Sequence, residues 1–295
     1  MTPDYADIRQ RVDAVLAKQV FFVAGAFKSG TTWVQLLLDA HPQIACRGEG
    51  HFAQYLASDL GNALTEYNRR IDTKNRTVFA ELPGFPLFGR EHGMFLLATA
   101  IALQFARYAD DPSVRAVGEK TPDNVRALPL LAELFPSARI VHVIRDGRDV
   151  VTSGWFHNTR VSPDWLKEHY PTFPDYAGKV GEFWAKDVQA GRDFDRGHPE
   201  AYLEVRYEDL TANPAPETAR LLAFLGVDAD DTAVSGCIEA AAFERVSRGR
   251  KPGEENRASH FRKGGVGDWR NHFGADAETA FAKEAGAMLR ELGYE

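Results

Sequence analysis

The segment that most constrains this chain is residues 20–33, VFFVAGAFKSGTTW. Its first six residues, Val20 to Gly25, are apolar, rich in β-branched and aromatic side chains, and closed by glycine. A run that short predicts a buried strand rather than a helix. A loop follows over 26–30. A helix then opens near Thr31 or Thr32 and runs through Trp33 to Leu38, and His41-Pro42 ends it because proline disfavours helical backbone in the residue before it. Strand, glycine-bearing loop and helix start in that order gather unpaired backbone N–H groups and the positive end of a helix at one point, which is an anion site.

The rest of the chain repeats the alternation. Short strands are expected at 115–118, 139–144 (RIVHVI) and 202–207, and helices at 7–17, 94–108, 125–135, 149–156, 178–195, 214–225, 231–241 and 275–292. Strands alternating with helices imply an α/β fold with a central parallel sheet flanked by helices, P-loop-like, with a helical insertion between 50 and 110. No internal repeat or Gly/Ser-rich linker interrupts it, so 1–295 reads as one domain. Residues 247–271 carry Arg, Lys and Gly without periodicity, and structureless stretches of that length are commonly lids or binding loops.

The loop differs from the nucleotide-triphosphate pattern GxxxxGK[ST]. Gly25 and Gly30 keep the glycine frame, but Thr31 stands where lysine belongs and the only lysine is inside the loop, at Lys28. Such a loop can cradle a 5′-phosphate while lacking the usual lysine for the β/γ-phosphates. A second anion site is expected after RIVHVI, where Arg145 and Ser153 offer a guanidinium fork and a hydroxyl. Asp146 in the same stretch also permits a Walker B reading with Mg²⁺. A third cationic segment is FRKGGVGDW, with Arg262 and Lys263 beside Gly264.

These segments together resemble the PAPS-dependent sulfotransferases, where PAPS is 3′-phosphoadenosine 5′-phosphosulfate. FKSGTTWVQLLLDAHP resembles the family's 5′-phosphosulfate loop. The resemblance implies that Lys28 contacts the bridging oxygen and sulfuryl group, that Ser29, Gly30, Thr31 and Thr32 hold the 5′-phosphate, and that Trp33 lies near the adenine. It implies that Arg145 and Ser153 bind the 3′-phosphate, that Arg262, Lys263 and Gly264 close over it, and that Tyr207 of YEDL lies near the adenine. PAPS is then the donor cosubstrate, adenosine 3′,5′-bisphosphate (PAP) the product, and no metal is required.

Sulfuryl transfer needs a base for the acceptor proton and positive charge at the leaving oxygen. Glu49-Gly50-His51-Phe52 resembles the E-x-H-F stretch of heparan sulfate sulfotransferases, which implies Glu49 as base and His51 as its hydrogen-bonding neighbour. Gly118-Glu119-Lys120-Thr121-Pro122 resembles the same enzymes and related bacterial ones, which implies that Lys120 reaches the sulfuryl group. Glu119 is a weaker base candidate, and His142 and His157 read as structural.

Composition narrows the remaining choices. The formal net charge of −7 argues against non-specific nucleic-acid binding. Cys46 and Cys237 are too few for a disulfide framework and read as buried thiols. The N-terminus lacks the apolar stretch of a signal peptide, and no window is apolar enough to span a bilayer, so a cytoplasmic location is expected. The acceptor is expected to be a small molecule, carbohydrate or peptide bearing a hydroxyl or amine. It would be read by 50–110, 157–180 and 247–260, whose aromatics Phe85, Phe88, Trp165, Tyr170 and Phe173 either line a pocket or form local core. The oligomeric state is not legible. Two rival readings are a P-loop small-molecule kinase and an inactive nucleotide-binding regulatory protein.

Overall fold

Five strands form one parallel sheet in a computed structural model that describes residues 4–259 and 261–294. They are β1 (Gln19–Gly25), β2 (Ile44–Gly48), β3 (Ala116–Lys120), β4 (Arg139–Ile144) and β5 (Tyr202–Arg206), in the spatial order β2-β3-β1-β4-β5. All four pairings are parallel. β1 lies between β3 and β4. The chain builds β2 and β3 on one side of it and then crosses to β4 and β5 on the other, so a crevice opens at the carboxyl ends of the strands where the order reverses.

Alternation along β1 builds two cores at once. Val20, Phe22 and Ala24 enter a cluster with Leu97, Ile101 and Phe105 on one face. Phe21 and Val23 enter another with Val34, Leu37 and Leu222 on the opposite face. A third cluster packs the helix Gly147–Val161 against Phe173–Gly197 and Ala275–Glu291 around Trp184 and Phe281. Burial on both faces is why the strands read as continuous apolar runs. His142 lies in this buried sheet against Tyr202, and burial lowers its pKa to about 4, which keeps it neutral and structural.

The expected elements are present, and further ones join them, including the short helices Tyr207–Ala212 and Phe243–Val246. β2 has only Ile44, Ala45 and Cys46 buried before Arg47 and Gly48 reach solvent, and it pairs on one side alone, so its apolar signal is brief. The helix Ala57–Thr77 has no fully buried residue, which leaves little apolar stripe to detect. It forms the helical insertion with Arg90–Phe105. Pro163–His169 adds one short helix. Both cysteines are buried, as expected. Among the described residues, no helix is long and apolar enough to cross a membrane.

Candidate functional site

Each strand delivers one predicted site residue at or just beyond its carboxyl end. Lys28 follows β1, Glu49 follows β2, Lys120 ends β3, Arg145 follows β4 and Tyr207 follows β5. Parallel pairing puts all five on one edge of the sheet, although they span 180 positions of sequence. A cavity of about 700 Å³ lies there.

The loop between β1 and its helix is bent by two left-handed residues, Lys28 at φ 67° and Gly30 at φ 98°. Gly30 caps the helix Thr31–Asp39 and has no room for a side chain, since a Cβ there would stand 2.4 Å from Cδ2 of Tyr207. Lys28, Gly30, Thr31, Thr32 and Trp33 line the cavity. Ser29 does not. It is fully buried, its Oγ has no partner, and its N–H donates to the carbonyl of Ala26 at 3.1 Å. Ser29, expected among the donor-binding residues, thus sits behind the cavity wall in this structure. Burial, followed by the positive charges of Arg145, Arg160 and Lys120, lowers the Lys28 pKa to about 8.

Tyr207 packs edge-on against Trp33 at 5.4 Å and under the Arg145 guanidinium at 4.5 Å. The Trp33 indole N–H donates to the carbonyl of Ala241 at 3.0 Å. With Leu37, Leu210 and Phe243 these rings make the apolar end of the cavity.

Arg145 is nearly buried, with its Nη2 donating to the carbonyl of Gly265 at 2.9 Å and its Nε unpartnered. An orphaned guanidinium nitrogen at an anion site suits a phosphate oxygen. Asp149, one turn into the following helix, accepts from the backbone N–H of Gly267 at 2.7 Å and of Trp269 at 2.9 Å. Those bonds dock the C-terminal segment over Arg145. Arg262, Lys263 and Gly264 thereby reach the cavity that Ser153 also lines. Arg262 and Lys263 both pair with the buried carboxylate of Asp268, which burial alone would push up but their hydrogen bonds hold well below the usual carboxylate range. Residue 260, in the stretch expected to read the acceptor, lies outside the described residues.

At the opposite end stand Glu49 and His51. Register sets Gly48 opposite Lys120, so the next residue, Glu49, meets the Lys120 ammonium in an ion pair. His51 Nε2 lies 3.3 Å from the second Glu49 oxygen, and its ring stacks on Tyr55 at 4.8 Å. Lys120 is itself buried and touches the cavity through Glu49 rather than lining it. Glu119 is occupied: its carboxylate accepts from Asn124 at 2.7 Å, Thr121 at 2.8 Å and the Gly50 N–H at 3.2 Å. Thr121 in turn accepts from the His51 N–H at 3.3 Å. Glu119 thus fixes the Glu49–His51 loop, and burial raises its pKa.

The structure bears on three further readings. His157, read as structural, lines the cavity. Asp146, the Walker B alternative, is buried with both oxygens accepting from the Arg148 guanidinium, which leaves them committed. The aromatics Phe85, Phe88, Trp165, Tyr170 and Phe173 line neither end. Phe85, Phe88 and Trp165 are exposed, while Tyr170 and Phe173 pack in the third core cluster. The cavity's own aromatics include Phe27 and Phe261, which open two of the motifs but carry no expected role, and Phe243, which lies in none.

A profile of the Sulfotransferase family matches residues 20–231. This chain belongs to the sulfotransferase family. It is 26% identical over 267 residues to human Sulfotransferase 1C2, an alignment covering 83% of this chain and 75% of that one. Against Cytosolic sulfotransferase 1 of Arabidopsis thaliana it is 28% identical over 157 residues, covering 48% of this chain and 47% of the relative, so it spans about half of that protein. The crystal structure of mouse sulfotransferase SULT7A1, complexed with PAP, superposes with a TM-score of 0.57 at 17% identity, covering 95% of this chain and 89% of that one. Sulfotransferases of this family take PAPS as donor. The family assignment replaces the kinase reading, which the committed Asp146 and the displaced loop lysine already disfavoured.

Proposed function

We propose that this chain, acting as one unit over 1–295 in the cytoplasm, transfers a sulfuryl group from PAPS to the hydroxyl of a polar acceptor and releases PAP. The observation that carries the proposal is the placement of Lys28, Glu49 and Lys120 at one end of a cavity whose other end holds Arg145, Ser153, Arg262 and Lys263. Glu49 takes the acceptor proton as the acceptor oxygen attacks sulfur. The bond from sulfur to the 5′-phosphate oxygen breaks, and its electron pair stays on that oxygen, where Lys28 stabilises the charge. Lys120 leaves Glu49 for the equatorial sulfuryl oxygens. His51 orients Glu49 from the side away from Lys120. Trp33 and Tyr207 supply the flat apolar faces that an adenine requires.

Calorimetry with PAP, adenosine 5′-monophosphate and ATP tests the donor assignment. PAP is expected to bind at least tenfold more tightly than the other two, and Arg145→Ala is expected to erase that margin. Equal binding of PAP and the monophosphate by the wild type would refute the 3′-phosphate role. Transfer from labelled PAPS to any acceptor of a mixed hydroxyl panel separates an active enzyme from a regulatory protein that binds PAP without turnover.

A further inference from the structure

The helix Gly147–Val161 carries Ser153, His157 and Arg160 at spacings of four and three, which sets them on one face. Ser153 and His157 line the cavity. Arg160 follows one turn farther along, roughly 10 Å from Ser153 at the rise of an α-helix. Its Nη2 donates to Nδ1 of His157 at 3.3 Å, and His157 packs edge-on against Phe27 at 5.4 Å, next to Lys28. Ser153 and His157 thus face the cavity, and Arg160, exposed and outside its lining, lies one turn beyond them.

Charge pairing singles out Arg160. Lys120 is held by Glu49, Arg126 by Asp187 and Asp123, and Arg262 and Lys263 by Asp268. Among the described residues Arg160 has no carboxylate at ion-pair distance; its side chain contacts His157, and after burial and Arg145 its charge contributes to the lowered pKa of Lys28. The donor's phosphates are covered by Lys28, Arg145, Arg262 and Lys263, which leaves Arg160 for the other reactant. Asp123, also in the cavity wall, would favour a cationic acceptor, and its 3.4 Å pairing with Arg126, which is shared with Asp187, offsets that in part.

We propose that Arg160, supported by His157, binds an anionic group of the acceptor and so aims the acceptor hydroxyl at Glu49. The acceptor class is a hydroxyl compound that also carries a carboxylate, sulfate or phosphate. This inference rests on the sulfotransferase reading with Glu49 as base. Arg160 is exposed, so its contribution is screened and is expected near tenfold in affinity.

The test uses PAP-saturated enzyme titrated with two matched pairs: para-hydroxybenzoate against para-hydroxybenzamide, and methyl glucuronide against methyl glucoside. At least one anionic member is expected to bind about tenfold more tightly than its neutral partner. Arg160→Gln should remove that preference, Arg160→Lys should retain most of it, and PAP affinity should be unchanged in both. Equal affinity within both pairs, no binding of any of the four, or a preference that survives Arg160→Gln would overturn the proposal while the donor reading stands. Loss of PAP binding by the wild type would overturn both together.

Discussion

Lys120 and Glu49 form an ion pair in which the lysine side chain is 4% exposed and the carboxylate 43%. The buried partner fixes the geometry, and the exposed partner faces the cavity. A carboxylate held this way is aimed, and in the proposed mechanism it accepts the acceptor proton while His51 still holds its second oxygen. Glu49→Gln is therefore expected to lower kcat by about 10²–10³-fold while PAP affinity changes little. Single-turnover transfer from labelled PAPS, with PAP titration beside it, measures both. Unchanged turnover would move the proton to His51.

Lys28 makes donor binding pH-dependent. Its pKa in the free protein is lowered to about 8, mainly by burial and then by the Arg145 charge. An anionic donor favours the ammonium and raises that value in the complex. Affinity for PAP is thus expected to fall as pH rises through 8, because binding must then take up a proton, and this lies above the range of about pH 6 in which the phosphates of PAP themselves titrate. Calorimetry in buffers of different ionisation enthalpy would register that uptake. Lys28→Arg keeps its charge and should flatten the profile, and a flat profile in the wild type would exclude Lys28 from the donor site.

Gly30→Ala should damage the donor loop more than the fold. The added Cβ would meet the Tyr207 ring at 2.4 and 2.8 Å in a backbone conformation that alanine rarely adopts. The ring cannot yield without leaving Arg145 and Trp33. A stability loss of about 1–3 kcal/mol is expected. PAP is expected to shift the melting temperature of this variant far less than that of the wild type. An equal PAP-induced shift in both would show that Tyr207 does not need its present position.

Asp149→Ala is expected to release the C-terminal segment. It strips the partners from two N–H groups, on Gly267 and Trp269, at about 1–3 kcal/mol each where no water replaces them. Limited proteolysis should cut the variant faster within 247–267, and PAP should protect it poorly. Wild-type cleavage rates would mean that other contacts hold the segment.

How much of this was legible beforehand depends on how locally each feature is encoded. Lys28 to Trp33 and Arg145 to Ser153 each sit within one strand-loop-helix unit, so residue order carries their geometry. β2 and the helix Ala57–Thr77 were missed because one has three buried residues and the other none, which leaves little periodic signal. His157 lay on a helix face whose direction no local pattern reveals.

By itself the sequence determined the alternation of strands and helices, the glycine-framed loop with its displaced lysine, and the acidic balance. Those features depend on neighbours within a few positions. The tertiary structure decided which charges meet. Strand register set Lys120 against Glu49, burial turned Glu119 from a rival base into a scaffold, and Arg148 claimed Asp146. Coulomb energy and desolvation depend on distance through space, and distance between residues far apart in the chain is set only when the sheet assembles.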